Sequence, residues 1–313
     1  ERMHTTILGL GHHLPPEVER AGLRRPIAVD PVGPSTLAVK AATEALARAE
    51  TAVDALDFIV FATMTPDVTF PGAGCFFQHQ MGCGTVGALD VRAQCAGFVF
   101  GLVIADQFVR AGVYEHVLLI GAEVHSSGLD YSAGGARVSR LYGDGAGAAL
   151  VGRGNGSGGI RGSAVHTDGR QHDRFWCEYP ASRQHPMRIT VEDFRRGRHF
   201  ITVDFDTVHR FAEESLPAVI EEALHAARMP AERVDRYIIG HLLPEVGEGV
   251  GRRLGVASSR LNIPAARHGH LTAAALPVAL SEEVAAGSLG AGDTVCLAAC
   301  GAGFAWGAAV VTL

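Results

Sequence analysis

Apolar runs alternate with amphipathic stretches along this chain, and glycine-marked turns separate them, so that strand and helix periods succeed one another. Thr5-Thr-Ile-Leu-Gly-Leu-Gly reads as a strand leaving through a glycine turn. His13-Leu-Pro-Pro-Glu reads as loop and Arg20-Ala-Gly-Leu-Arg-Arg-Pro as a basic turn. Ser35 is placed to cap a helix reaching about Glu50, with Leu37, Ala41 and Leu46 on one face. Phe58-Ile-Val-Phe-Ala, opened by Asp57, is a second strand ending at Met64-Thr-Pro66, and a short helix is expected around Phe76 to Met81. Leu89 to Val91 reads as a short buried strand, and the apolar run from Gly97 to Gly112 as a core helix. Val117-Leu-Leu-Ile-Gly-Ala, then the turn and strand from Tyr142 to Val151, close the first half.

The polar, glycine-rich stretch from Gly152 to Gly162 marks a boundary, giving halves at 1–155 and 156–313. The second half repeats the first. A helix from Asp206 to Arg228, with a kink expected at Pro217, stands where Ser35 to Glu50 stood. Asp235 to Pro244 matches Asp57 to Pro66, each spanning nine positions, with His241 in place of Thr63 at the strand end. A helix from near His270 to Gly287 matches Cys95 to Gly112, seventeen positions in each, so the register pairs Cys95 with His270. Thr294 to Leu297, the Cys300-Gly-Ala-Gly-Phe turn and Ala308 to Val311 echo the first half's ending. The fold class is therefore α/β, with duplicated βαβαβ halves layered α-β-α-β-α.

This register carries the chemistry. Cys95 falls on the turn between a strand and a helix, where free N–H groups favour a thiolate and can donate to an oxyanion. Helix N-termini are among the settings that lower a thiol from about 8.5 to roughly 3.5–7.5. A buried packing thiol is the alternative. His241 and His270 converge with Cys95 at strand ends, a set suited to a covalent acyl intermediate with histidine handling protons. The N–H of Cys95 and one from the Gly301-Ala-Gly303 turn would form the oxyanion hole. Gly143, Gly145 and Gly147 precede a strand instead of opening a helix, so a tight turn is favoured over a nucleotide loop.

Composition narrows this further. The 313 residues carry a net charge of −6, which argues against nucleic acid as a partner. The six cysteines are scattered without a C-x-x-C pair, as suits reduced thiols in the cytoplasm. The only close histidine pairs are His12-His13 and His268-Gly-His270, with no third ligand nearby, so no metal site is expected. No signal peptide is expected at the start, where Glu1-Arg-Met-His-Thr-Thr reads as holding a tag-derived scar. The helix after Cys95 contains Asp106, Gln107 and Arg110 and reads as core, not as a membrane span.

Asp90-Val-Arg-Ala-Gln-Cys95-Ala-Gly-Phe, Tyr142-Gly-Asp-Gly-Ala-Gly-Ala-Ala, the His241 strand end, His268-Gly-His270-Leu-Thr-Ala-Ala-Ala-Leu-Pro277 and Gly301-Ala-Gly-Phe-Ala-Trp-Gly307 together resemble the β-ketoacyl-acyl carrier protein synthase III enzymes of the thiolase superfamily. The resemblance covers nearly the whole chain. It implies a thiolase-like fold, a homodimer, Cys95 as acyl-accepting nucleophile and His241 as catalytic base and hydrogen-bond donor. It also implies Ala302 as the second oxyanion donor and Phe70 as a residue crossing the dimer interface to line the partner's acyl pocket. The chain departs from the family where His270 replaces an asparagine, giving Cys-His-His as in the elongating synthases of the superfamily. It departs again where the family's His-Gln-Ala-Asn is His241-Leu-Leu-Pro244. Arg20-Ala-Gly-Leu-Arg resembles the family's Arg-Thr-Gly-Ile-Arg. The stretch before it lacks the family's adenine-stacking tryptophan, which favours a carrier-protein thioester over coenzyme A as donor. Arg20, Arg24, Arg25, Arg252 and Arg253 are candidates to meet an acidic carrier helix or the pantetheine phosphate, or else are ordinary solvated charge.

The leading expectation is an acyltransferase that loads an acyl group on Cys95 and condenses it with a malonyl-type thioester by decarboxylative Claisen chemistry, in fatty acid or polyketide biosynthesis. Acyl-CoA or acyl carrier protein thioesters would be its substrates and no cofactor would be needed. Non-decarboxylative transfer to an O, N or C nucleophile is the alternative, and a silent partner subunit a third reading. In this scheme His270→Asn spares loading and alters the second step.

Overall fold

The computed structural model describes residues 5–20, 22–154 and 158–313, apart from the side chain of Arg20. The expected boundary at 155/156 and the scar reading of residues 1–4 lie outside the described residues. The first sheet holds β1 (Thr5–His13), β4 (Phe58–Ala62), β5 (Gly87–Val91), β6 (His116–Glu123) and β7 (Gly145–Arg153), in the order β1-β7-β6-β4-β5. The second holds β8 (Gly159–Thr167), β11 (Arg236–Gly240), β12 (Leu261–Asn262), β13 (Thr294–Gly301) and β14 (Ala305–Thr312), in the order β12-β11-β13-β14-β8. Element for element, the orders coincide. In each, a parallel pair at the centre continues into antiparallel strands on one side. Two small antiparallel pairs, β2 (Glu17–Arg20) with β3 (Leu23–Pro26) and β9 (Phe175–Cys177) with β10 (Ile201–Val203), complete the strands. The basic stretch read as a turn is thus a hairpin.

Five layers follow from three large apolar clusters, the middle one shared by both sheets. Helices α1 (Pro34–Arg48) and α2 (Ala73–Met81) cover the outer face of the first sheet through Leu37, Ala41, Phe77, Ile59 and Phe61. Helices α3 (Gly97–Arg110) and α9 (Ala275–Ala285) fill the space between the sheets, where Phe98, Leu102, Leu276 and Leu280 meet Val60, Leu119 and Leu297. Helices α6 (Phe205–Ala227) and α7 (Pro244–Arg253) cover the second sheet through Leu216, Ile220, Val246 and Val250. The short helices α4 (Ala136–Ser139), α5 (Val191–Arg195) and α8 (Pro264–His268) lie in connections. Among the described residues no helix is long and apolar enough to cross a membrane.

The repeat extends to hydrogen bonds. Asp57 N–H donates to the His116 carbonyl while Asp57 Oδ2 accepts from His116 N–H; Asp235 and Thr294 repeat both contacts. Residue n of the first half therefore answers to n + 178 in the second. That register corrects the pairing of Cys95 with His270. The pairing was carried back from Gly112 and Gly287, but α3 has 14 residues and α9 has 11. The left-handed residues Gln94 (φ 50°) and Thr272 (φ 46°) are the true counterparts, so Ala273 answers to Cys95. His270 lies before that turn, on a loop bridged to Tyr142.

Two further expectations change. Ser35 does not cap α1: Gly33 is the cap residue, and the Ser35 hydroxyl donates to Asp67 Oδ1 at 2.6 Å. The strand before Cys95 is not buried, because β5 is the sheet's edge and Leu89 is 40% exposed.

Candidate active site

Cys95 sits on a single 3₁₀ turn, Gln94–Ala96, between β5 and α3. The turn packs against the end of β13, where Gly301 is required: a Cβ there would overlap Cys95 Sγ. Because the backbone of β13 comes this close, the N–H groups of both Cys95 and Ala302 reach the sulfur. On its other side Sγ lies 2.9 Å from His270 Nε2. Helix α9 is brought up to the first sheet by the same economy, since a Cβ at Gly147 would overlap Pro277 and Val278.

Burial dominates the electrostatics. Cys95 is 2% exposed, and desolvation pushes its thiol above the ordinary range, with Cys300 and Glu123 adding to the rise and the Cys95 and Ala302 N–H groups opposing it. The lowered thiol expected at a helix start is thereby corrected: partial charges at the turn do not outweigh the loss of water. Burial, then His125 and His241, hold His270 well below the usual imidazole range. Burial also lowers His241 to about 4. At neutral pH the contact is therefore between a neutral thiol and a neutral imidazole, and either partner can be the donor.

His241 Nδ1 lies 3.1 Å from the Leu243 N–H and 3.3 Å from the Leu243 carbonyl, so it can accept from the one or donate to the other. His241 Nε2 and His270 Nδ1 are buried with no partner among the described residues, which leaves both nitrogens open to a ligand. His268, by contrast, is tied to both carboxylate oxygens of Glu282 at 3.0 and 3.1 Å.

Five groups at this site were given no role by the sequence reading. Glu123, at the end of β6, is fully buried and accepts from Thr63, Thr65 and Met64 N–H; burial raises it to about 7 against those donors and Thr272. Thr272 also meets His125 Nε2 at 2.9 Å. The ring of Tyr142 lies tilted 4.5 Å from that of His125 and 5.6 Å from that of His270, its hydroxyl without a partner among the described residues. The Asp144 carboxylate holds the His125 loop by accepting from His125 and Ser126 N–H. A carboxylate closing the apolar strand Val117 to Ala122 was the one available signal.

The remaining expected residues do not converge on the thiol within this chain. Phe70 is 76% exposed on the loop ahead of α2. Arg252 and Arg253 end α7, Arg252 within 3.9 Å of Glu248 and Arg253 donating to the Glu213 carbonyl. Arg24 pairs with Glu17, and Arg25 packs against Gly269 beside the His270 loop. The Arg20 side chain lies outside the described residues.

Comparison with known proteins agrees along the whole chain. Residues 89–169 match the family model for 3-oxoacyl-[acyl-carrier-protein (ACP)] synthase III, and residues 224–313 match the model for its C-terminal part. The β-ketoacyl-[acyl-carrier-protein] synthase III of Rhodospirillum centenum is 36% identical, the match covering 99% of each chain. The 3-oxoacyl-[acyl-carrier-protein] synthase III structure from Aquifex aeolicus superposes with a TM-score of 0.89 at 26% identity, over 99% of this chain and 100% of that one. The priming β-ketosynthase of the R1128 polyketide pathway superposes with a TM-score of 0.89 at 27% identity, over 100% and 97%.

Proposed function

Since the chain belongs to the 3-oxoacyl-[acyl-carrier-protein] synthase III family and is a condensing acyltransferase of that type, we propose that Cys95, His270, His241 and the Ala302 N–H divide its two half-reactions between them. The observation that carries this reading is the 2.9 Å contact between Cys95 Sγ and His270 Nε2, made beneath the Ala302 N–H.

In the first half-reaction Sγ attacks the carbonyl carbon of an acyl thioester as its proton passes to His270 Nε2. The N–H groups of Cys95 and Ala302 hold the developing oxyanion. The leaving thiolate departs and takes the proton back from the imidazolium, which restores neutral His270 and leaves an acyl-Cys95 thioester. A malonyl-type thioester then enters. His241 Nε2–H donates to its thioester oxygen as carbon dioxide leaves, and the enolate carbon attacks the acyl carbonyl. Collapse of the tetrahedral intermediate expels the Cys95 thiolate, which takes a proton from solvent relayed by His270. The unpinned tautomer of His270 suits it to accept in the first half-reaction and donate in the second. These steps balance with the two thioesters and one solvent proton and call for no cofactor.

The same reading includes a homodimer. β5 is an uncapped edge, and Leu89, Val68 and Phe70 are exposed around it, which a second copy would cover. A cytoplasmic location fits six unpaired cysteines. Acyl carrier protein thioesters are the favoured donors, with Arg252 and Arg253 offered at the surface.

Intact-mass measurement after incubation with an acetyl thioester tests the first half-reaction. An acetyl adduct lost in Cys95→Ala is expected, and absence of any adduct across a donor panel would sink the reading. Release of carbon dioxide from a malonyl thioester, only when Cys95 is acylated, is expected for the second.

A further inference from the structure

Two residues before His270, the chain is fastened by a single carboxylate. Against the rise that burial alone would cause, His268, Arg267 and His12 hold Glu282 below the ordinary carboxylate range, so it is ionised and only accepts. His268 Nε2–H donates to both of its oxygens, at 3.0 and 3.1 Å, and the two side chains are only 9% and 17% exposed. Arg267 reaches the same carboxylate at 3.4 Å. Glu282 thereby ties the end of α8 to the core helix α9.

Gly269 follows with a φ of 74°, where a Cβ would overlap Arg25 and the Leu141 carbonyl. His270 comes next. Its N–H donates to the Leu141 carbonyl at 2.6 Å, and its carbonyl accepts from Gly143 N–H at 3.3 Å. Both bonds run to one neighbouring segment, so they fix a line along the loop but not its rotation about that line. The grip on His268 comes from α9 and supplies the third fastening. The 2.9 Å contact between Cys95 Sγ and His270 Nε2 depends on that rotation, since a displacement of about 1 Å can cost about 10²-fold in rate.

Resting on the base role proposed above for His270, we infer that Glu282, acting through His268, is a positioning residue for the loading step. It holds His270 where Nε2 can take the thiol proton, and it acts through the loop and not on the thiol.

The test is a double-mutant cycle on the rate of Cys95 acetylation from an acetyl thioester, followed by intact mass. Glu282→Ala leaves the His268 N–H buried without its acceptor and should slow loading about tenfold or more. Glu282→Gln, whose carbonyl still accepts, should keep loading within about threefold of wild type. In a His270→Asn background Glu282→Ala should cost nothing further, because the group it positions is gone. The residual rate of Glu282→Ala should also climb from about pH 6.5 to 8.5, as unaided thiolate forms. His268→Ala, which opens the grip from its other end, should repeat these results and carries the test should Glu282→Ala not fold. Wild-type loading in either alanine variant, or the same fold-loss with and without His270, would overturn the inference and leave the pair a prop for stability alone. Loading of His270→Asn at the wild-type rate would overturn the base role itself and this inference with it, whatever Glu282→Ala does.

Discussion

At the scale of single residues, the decisive fact is that Cys95, the nucleophile proposed above, is buried and un-ionised. A thiol pushed up by desolvation has almost no thiolate at neutral pH, so attack depends on a base within reach, and only His270 is at 2.9 Å. His270→Asn removes the proton acceptor while leaving a group of similar size. Loading should therefore slow by about 10²-fold or more, the range of a positioned general base. Loading spared, as the sequence reading expects of this substitution, would remove His270 from that role. The pH dependence is equally specific. Because His270 is held well below the imidazole range, its basic form is present throughout neutral pH, and wild-type loading should be flat from about pH 6.5 to 8.5. In His270→Asn the residual rate should climb with pH as unaided thiolate forms. Stopped-flow or quenched intact-mass kinetics across that range would decide it, and a flat variant profile would remove His270 from the role of base.

At the scale of elements, the site is an end-of-strand construction in which backbone must approach backbone. β13 ends at Gly301, and its missing side chain is what lets the Ala302 N–H face the sulfur. Gly301→Ala places a methyl group where Sγ now lies and must move the turn. Loading should fall by about 10²-fold or more, as when an oxyanion donor is withdrawn, with far-UV circular dichroism retained. Unchanged loading would show that the turn is not needed where it stands. Much of this element logic was legible in the chain. Asp57 to Pro66 and Asp235 to Pro244 announced the duplication because equal strands and turns leave equal letters. His270 was found for a reason that did not hold: a matched glycine at each helix end hid a difference in helix length. Glu123 left only its place at the end of an apolar strand as a signal, and His125 and Thr272 left none, since their contacts join residues 58 to 147 positions apart. The exposure of β5 was hidden likewise, because an edge strand and a buried one carry the same apolar letters until neighbouring strands are known.

At the scale of the whole molecule, concentrating buried titratable groups at one site makes stability depend on pH. His125, His241 and His270 are all held neutral by burial, at about 3, about 4 and well below the ordinary imidazole value. Below that ordinary value the unfolded chain binds protons the folded chain refuses. The stability these groups permit is thus intact above about pH 6.5 and drains away as pH falls toward their folded values. Each withdraws on the order of 1 kcal/mol between pH 7 and 5.5. Glu123 acts in the opposite sense. Raised to about 7, it is ionised more readily in the unfolded chain, so it favours the fold at low pH and loses that contribution as pH rises from about 4.5 to 7. Over the same interval it offsets roughly one of the three imidazoles. Urea midpoints should therefore fall on acidification from pH 7 to 5.5 by the equivalent of about 2 kcal/mol. The slope separates the contributors even where a substitution lowers stability throughout: His270→Asn should flatten it and Glu123→Gln should steepen it. A wild-type midpoint that rises on acidification would mean that the carboxylate, and not the histidine cluster, governs how the protein meets acid.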